Sequence, residues 1–347
     1  MMEGLPDKVA IIAGAGTGKS ALLRTLALAE SKRRVLYLTF TESNAYEFAE
    51  GVCGEVGAIP NNVTVMTWYS FLLVHGVRPF PLKTIPERID SCVLPGGKVR
   101  QRRGVHKGDH DYYCPRRGEA YAARLSELML ACDGQWGGEV FGRIKDAYPV
   151  ILVDEAQDFA GADYDVIAKL VQSAEKALVV GDPRQATYRT NRESLHRNFS
   201  NIFEFIEAKK LCKVDRDSLS VSYRCPEEII ALANSLYVGR YPEVTSARPR
   251  TDSHRVFKLK KSKVLEYAAT KECMALTWNG GTVVPDGLPR INMGEAKGMN
   301  IPNVIIYPTG DMKQWLQGDR VDWAQETLAK FYVAITRASE TVAFVID

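Results

Sequence analysis

The chain has 347 residues, 46% of them apolar and 25% charged, an ordinary globular balance that excludes a collagen-like or wholly disordered polymer. Its 45 basic and 42 acidic side chains leave a formal charge of +3, too small an excess to argue for a nucleic-acid partner without local clustering. The length predicts about two domains, each able to bury a core without a disulfide or metal staple.

In chain order, the start at Met1 lacks the basic segment and apolar stretch of a signal peptide. No apolar run approaches the ~18 residues that span a bilayer. The seven cysteines, Cys53, Cys92, Cys114, Cys132, Cys212, Cys225 and Cys273, form no Cys-x-x-Cys pair and are expected as reduced thiols. Together these features predict a cytoplasmic protein with no membrane partner. Short β-rich runs follow at residues 8–13, 35–40, 63–68, 150–153 and 177–180, with helical stretches between them. A second set occupies 256–259, 274–278, 304–307 and 342–346. Continuous apolar strands alternating with helices are what a parallel sheet covered on both faces requires. The expected fold is therefore α/β, with one domain at 1–215 and a second at 216–347.

Residues 76–147 interrupt this pattern with four early prolines and the basic run from Lys98 to Lys107. They read as a partly mobile insertion into the first domain, carrying one helix from about Glu119 to Cys132 and no core of its own. The basic run suits a nucleic-acid path and equally a solvated charged loop. His106, His110 and Cys114 recur every four residues, a spacing that admits zinc, although no fourth ligand is evident and a loop fits as well.

The segment Ala13-Gly14-Ala15-Gly16-Thr17-Gly18-Lys19-Ser20 lies between an apolar strand and a helix. Glycines there let backbone N–H groups close around phosphate oxygens at a helix N-terminus. Lys19 is placed to reach the β- and γ-phosphates and Ser20 to ligate Mg²⁺. The first position is Ala13, where the strict pattern has glycine. A buried strand then ends in Asp154-Glu155, putting two carboxylates at the ligand-binding edge of an α/β sheet. Asp154 would hold Mg²⁺, and Glu155 would orient or deprotonate the attacking water. These two motifs predict an enzyme that hydrolyses a nucleoside triphosphate.

With the remaining motifs the chain resembles superfamily 1 helicases of the UvrD/Rep/PcrA type, from residue 13 to residue 338. The resemblance implies two RecA-like domains that hydrolyse ATP between them and step along single-stranded DNA. Gly181-Asp182-Pro183-Arg184-Gln185 resembles the family's third motif, which implies that Gln185 senses the γ-phosphate. Ser222-Tyr223-Arg224 resembles its Tyr-Arg motif, implying that Tyr223 stacks on the base and Arg224 meets the γ-phosphate. Tyr332 to Ala338 resembles the last motif, whose Arg337 would be the second arginine finger. Implied nucleic-acid contacts are Thr39, Phe40, Thr41 and Asn44, then Thr67, Trp68 and Tyr69, then Tyr188 and Lys297. Phe40, Trp68 and Phe71 also read as plain core residues at strand ends.

The chain departs from the family in several places. No glutamine precedes the phosphate loop to read adenine. Thr190 stands where a stacking Trp is usual, and Gly294 and Asn300 occupy the histidine and glutamate positions of the fifth motif. The short stretch from Pro226 to Asn292 leaves no room for the large accessory domain, so ATP hydrolysis is a firmer expectation than unwinding. The alternative is a nucleotide-gated adaptor or regulatory subunit that works with a nuclease in DNA repair or phage defence. RNA in place of DNA fits the same backbone contacts.

Overall fold

A computed structural model describes residues 5–94, 99, 103–187, 195–249 and 251–346. The chain divides into two compact units: Met1–Ile12, Ser20–Gly181 and Arg189–Asp215 form the first, and Ala13–Lys19, Asp182–Tyr188 and Arg216–Asp347 the second.

The first unit is built on a six-stranded sheet whose strands lie in the order Val63–Thr67, Val35–Thr39, Val150–Val153, Lys176–Gly181, Lys8–Ile12 and Lys213–Asp215. Every pairing is parallel. Val35–Thr39 and Val150–Val153 are buried at every residue, as central strands covered on both faces must be. Lys8–Ile12 pairs with Lys176–Gly181 so that Ile12 aligns with Gly181, and Val35–Thr39 pairs with Val150–Val153 so that Leu38 aligns with Val153. Parallel strands end on one edge, so Ile12, Val153 and Gly181 all terminate there, immediately before the three segments that carry the candidate chemistry.

The insertion differs from the expected mobile loop. Its described part contributes Leu82, Ile85, Ile89, Tyr113, Cys114, Leu125, Leu128, Met129, Cys132, Phe141 and Ile144 to the core that includes Leu36, Ile151 and Val179. The expected single helix is also replaced. Glu119–Tyr121 pairs as a strand with Ser91–Val93, a short 3₁₀ turn follows, and helices span Leu125–Gln135 and Glu139–Ala147. Gly118, at φ 78°, opens the turn that sends Glu119 into the ribbon. A pairing across some 28 residues has no local periodicity to announce it. Lys98 and Arg100, Gln101 and Arg102 of the basic run lie outside the described residues.

The second unit carries a five-stranded parallel sheet in the order Arg255–Lys260, Ala338–Ile346, Ile301–Ile306, Cys273–Thr277 and Arg290–Asn292. Alternation along the strands divides its core. Val304, Ile306, Val342 and Phe344 face the helices Glu227–Ser235 and Gln325–Thr336. Ile305, Ala343 and Val345 face Val264 and Tyr267 on the opposite side. Truncating such a residue, for example Ile305→Ala, would cost about 2–5 kcal/mol.

Candidate nucleotide site

The loop between Ile12 and Ser20 turns where glycine is needed: Gly16 and Gly18 have φ of 72° and 88°, the left-handed region that penalises a side chain. Packing demands glycine as well. A Cβ on Gly16 would stand 2.6 Å from the Arg224 Cβ, and one on Gly14 would stand 2.4 Å from Val244. Within the second unit the loop is gripped by the segment that carries Tyr223 and Arg224. The Ser222 hydroxyl donates to the Ala15 carbonyl at 2.8 Å, the Tyr223 N–H donates to the Gly16 carbonyl at 2.9 Å, and the Gly14 N–H donates to Leu219 at 3.1 Å. Thr17 donates its hydroxyl to the Gly14 carbonyl at 3.0 Å, and the Lys19 ammonium reaches the same oxygen at 3.4 Å. Lys19 and Ser20 begin the helix Lys19–Ala29, whose N-terminal N–H groups favour an anion. Tyr223 is 58% exposed, so its ring is available for stacking.

Asp154 is buried at the strand end. One carboxylate oxygen accepts the Glu155 N–H and the other the Tyr37 hydroxyl, both at 2.7 Å. Burial and the neighbouring carboxylate push the Tyr37 phenol far up, so it remains a donor. Glu155 adopts φ 53° and ψ 43°, a conformation that costs a non-glycine residue about 1–3 kcal/mol and clusters at functional sites. The Gln157 amide donates to Glu155 Oε2 and thereby orients that carboxylate. Gly181 permits this packing, because a Cβ there would lie 2.5 Å from Gln157 Oε1.

A hydroxyl, one carboxylate and substrate phosphates are an oxygen donor set that suits Mg²⁺, which keeps several of its waters. Ser20 is exposed and Asp154 is anchored in place, so the residues fit that ion. Zinc at His106, His110 and Cys114 does not fit. Cys114 is buried in the apolar core, and His110 is held by Glu87 at 2.9 Å and Asp111 at 3.0 Å. Among the described residues, no cluster of three or more His, Cys, Asp or Glu is arranged for a metal.

Gln185 and Arg337 meet inside the second unit. Arg337 Nη2 donates to Gln185 Oε1 at 3.2 Å, and Gln185 Nε2 donates to Asp182 Oδ2 at 2.8 Å. Asp182, with no exposed surface, also accepts from Arg184 and from the Tyr332 hydroxyl at 3.3 Å. Both ends of the Gln185 amide are thus engaged, so it holds a guanidinium and is not turned toward a phosphate. Arg224 differs: among the described residues its guanidinium has no hydrogen bond or ion pair.

The candidate nucleic-acid residues divide. Trp68 has no exposed surface, packs against Phe71 and Phe159, and donates its ring N–H to Asp163 at 3.0 Å. It is a core residue and cannot stack on a base. Thr39 is equally buried and cannot present its hydroxyl to a phosphate. Phe40 and Tyr69 are half-buried and meet edge to face. Thr41 is exposed and caps the helix Glu42–Val56 by accepting the Asn44 N–H at 3.2 Å. Thr67 donates to Ser70 at 2.9 Å, and Lys297 is half-buried beside Gly298. Tyr188 and Thr190 lie outside the described residues.

Sequence reasoning missed the roles of Tyr37, Gln157 and Tyr332, each inside a run or motif that it singled out, because their partners lie on other elements or across a turn. A polar hydroxyl in the otherwise apolar run 35–38 was the one available signal for Tyr37.

Residues 119–205 match the UvrD/REP helicase N-terminal domain family. Over 98 residues the chain is 29% identical to an ATP-dependent helicase/nuclease subunit of Carboxydothermus hydrogenoformans, covering 28% of this chain and 8% of that protein. Over 140 residues it is 26% identical to the RecBCD enzyme subunit RecB of Haemophilus influenzae, covering 39% of this chain and 11% of the other. The chain thus spans a small part of the curated relatives it matches. Among solved structures, an arterivirus nonstructural protein 10 helicase in complex with DNA aligns over 98% of this chain and 61% of its own, with TM-score 0.48 and 13% identity. The PRRSV helicase aligns over 98% and 52%, with TM-score 0.45 and 15% identity. Among the described residues no helix is long and apolar enough to cross a membrane.

Proposed function

We propose that the chain, whose residues 119–205 match the UvrD/REP helicase N-terminal domain family, hydrolyses ATP to drive a motor working on single-stranded DNA. The observation that carries this reading is the grip of the Tyr223–Arg224 segment on the phosphate loop, through Ala15, Gly16 and Gly14. That grip holds Arg224, whose guanidinium is without a partner among the described residues, beside a loop whose N–H groups suit a triphosphate. The loop N–H groups and Lys19 bind and orient the β- and γ-phosphates, and Tyr223 stacks on the base. Glu155, fixed by Gln157, orients the attacking water and takes its proton. Arg224 neutralises charge that develops on the γ-phosphoryl oxygens. Gln185 steadies Arg337 for the same task. Ser20 and Asp154 would hold Mg²⁺, which would add positive charge beside the phosphates.

Lys19→Ala and Glu155→Gln are each expected to abolish turnover in an assay of phosphate release with single-stranded DNA present. Hydrolysis retained in either purified variant would remove the site assignment. A second reading has a specific support: both curated relatives are named as subunits, one of a helicase/nuclease. On that reading this chain is the nucleotide-gated member of a nuclease assembly and does not unwind. Many-fold stimulation by single-stranded DNA alone favours the motor, whereas stimulation only by a protein partner favours the second reading. Competition between DNA and RNA oligonucleotides of one sequence decides the strand.

A further inference from the structure

Arg224 has a guanidinium with no tether among the described residues, so its aim depends on how firmly its backbone is held. That backbone is held by residues 244–248. Thr245–Ser246 pairs in parallel with Val221–Ser222, the Ala247 N–H donates to the Ser222 carbonyl at 2.9 Å, and the Ser246 hydroxyl donates to the Cys225 carbonyl at 2.8 Å. Arg248 completes the clasp. Its Nη1 donates to the Arg224 carbonyl at 3.1 Å and also to the Ser339 carbonyl, two residues beyond Arg337. Its Nη2 lies 3.2 Å from His254 Nε2. Arginine has no acceptor, so that ring nitrogen accepts and the imidazole carries its proton on Nδ1. His254 is 6% exposed and fixes the second arm of the fork.

We propose that Arg248 is a positioning residue that ties the backbone of Arg224 to the chain just after Arg337, aligning both arginines on one triphosphate. The role rests on the reading of those two arginines as the groups that meet the γ-phosphate. Nη1 serves the two carbonyls and Nη2 the imidazole, so the clasp uses two nitrogens held apart in one plane, which the single nitrogen of a lysine ammonium does not reproduce. Arg248 touches no nucleotide itself. Its removal lets the Arg224 backbone drift, and a misplacement of about 1 Å at a reacting centre can cost about a hundredfold in rate.

The test compares wild type with Arg248→Ala and Arg248→Lys in two measurements on the full chain. Steady-state ATP hydrolysis should give a kcat lowered by about 10- to 100-fold in Arg248→Ala, a smaller loss in Arg248→Lys, and a KM for ATP within about twofold of wild type. Hydrogen–deuterium exchange without nucleotide should show amides 222–225 and 337–340 losing protection together, while strand Val35–Thr39 keeps its own. Should Arg248→Ala fail to fold, Arg248→Lys carries the same test. Unchanged exchange in either segment overturns the brace, and lost protection with unchanged kcat overturns its positioning role. A wild type that hydrolyses no nucleotide would instead overturn the proposed function, and the exchange measurement would still decide the brace.

Discussion

Gly16 carries two constraints at once: a left-handed φ of 72° and an approach that leaves no room for a Cβ, with Arg224 Cβ 2.6 Å away. Backbone strain at such a position costs about 1–3 kcal/mol, and the contact atom belongs to a Cβ that cannot swing aside. Gly16→Ala should therefore push the Tyr223–Arg224 segment off the loop and weaken nucleotide binding at least about tenfold, which corresponds to about 1.4 kcal/mol. Titration with a fluorescent ATP analogue measures it. Gly54 is the control. It lies inside the helix Glu42–Val56 with nothing within 4 Å of its missing Cβ, so Gly54→Ala should stabilise by about 0.5–1 kcal/mol and leave binding alone. Equal losses in both variants would mean that the Gly16 contact has no special weight.

Elements were legible where their signal is local. The strand runs, the loop from Gly14 to Lys19 and the acidic pair after Val153 each announce themselves within a few residues. What could not be read was pairing at a distance. The Glu119–Tyr121 strand needs Ser91–Val93, the burial of Trp68 needs Asp163, and the engagement of Gln185 needs Arg337. The insertion failed as a mobile loop for the same reason, because its apolar residues find their partners in the main sheet. Within it His110 bridges Asp111 and Glu87, and its pKa is raised above 6.5, first by the hydrogen bond to Asp111, against desolvation, and with help from Glu87. A raised histidine contributes stability that is complete below about pH 6.5 and lost as pH climbs through the folded value. In urea unfolding, the stability difference between wild type and His110→Gln should be larger at about pH 5.5 than at about pH 8.5, by about 0.5 kcal/mol for a partly exposed pair. A gap independent of pH would show that the bridge carries no charge.

At the scale of the whole molecule, charge sets what binding to a strand can look like. With 45 basic against 42 acidic side chains, the chain has little long-range field to gather a polyanion, and affinity must come from local contacts. Two of the expected contacts, Thr39 and Trp68, are buried, and among the rest only Lys297 carries the positive charge that neutralises a phosphate, so few such contacts are expected. For single strands the logarithm of affinity falls with the logarithm of salt by about 0.7 for each phosphate neutralised. With roughly two to four such contacts, the slope should lie between about −1.5 and −3. Fluorescence anisotropy of a labelled oligonucleotide between about 50 and 200 mM salt gives that slope directly. A slope steeper than about −5 would require a concentrated basic track, and attention would then turn to the run from Lys98 to Lys107. On the proposed role of Lys297 as a strand contact, Lys297→Ala should flatten the slope by about 0.7 while leaving nucleotide affinity intact.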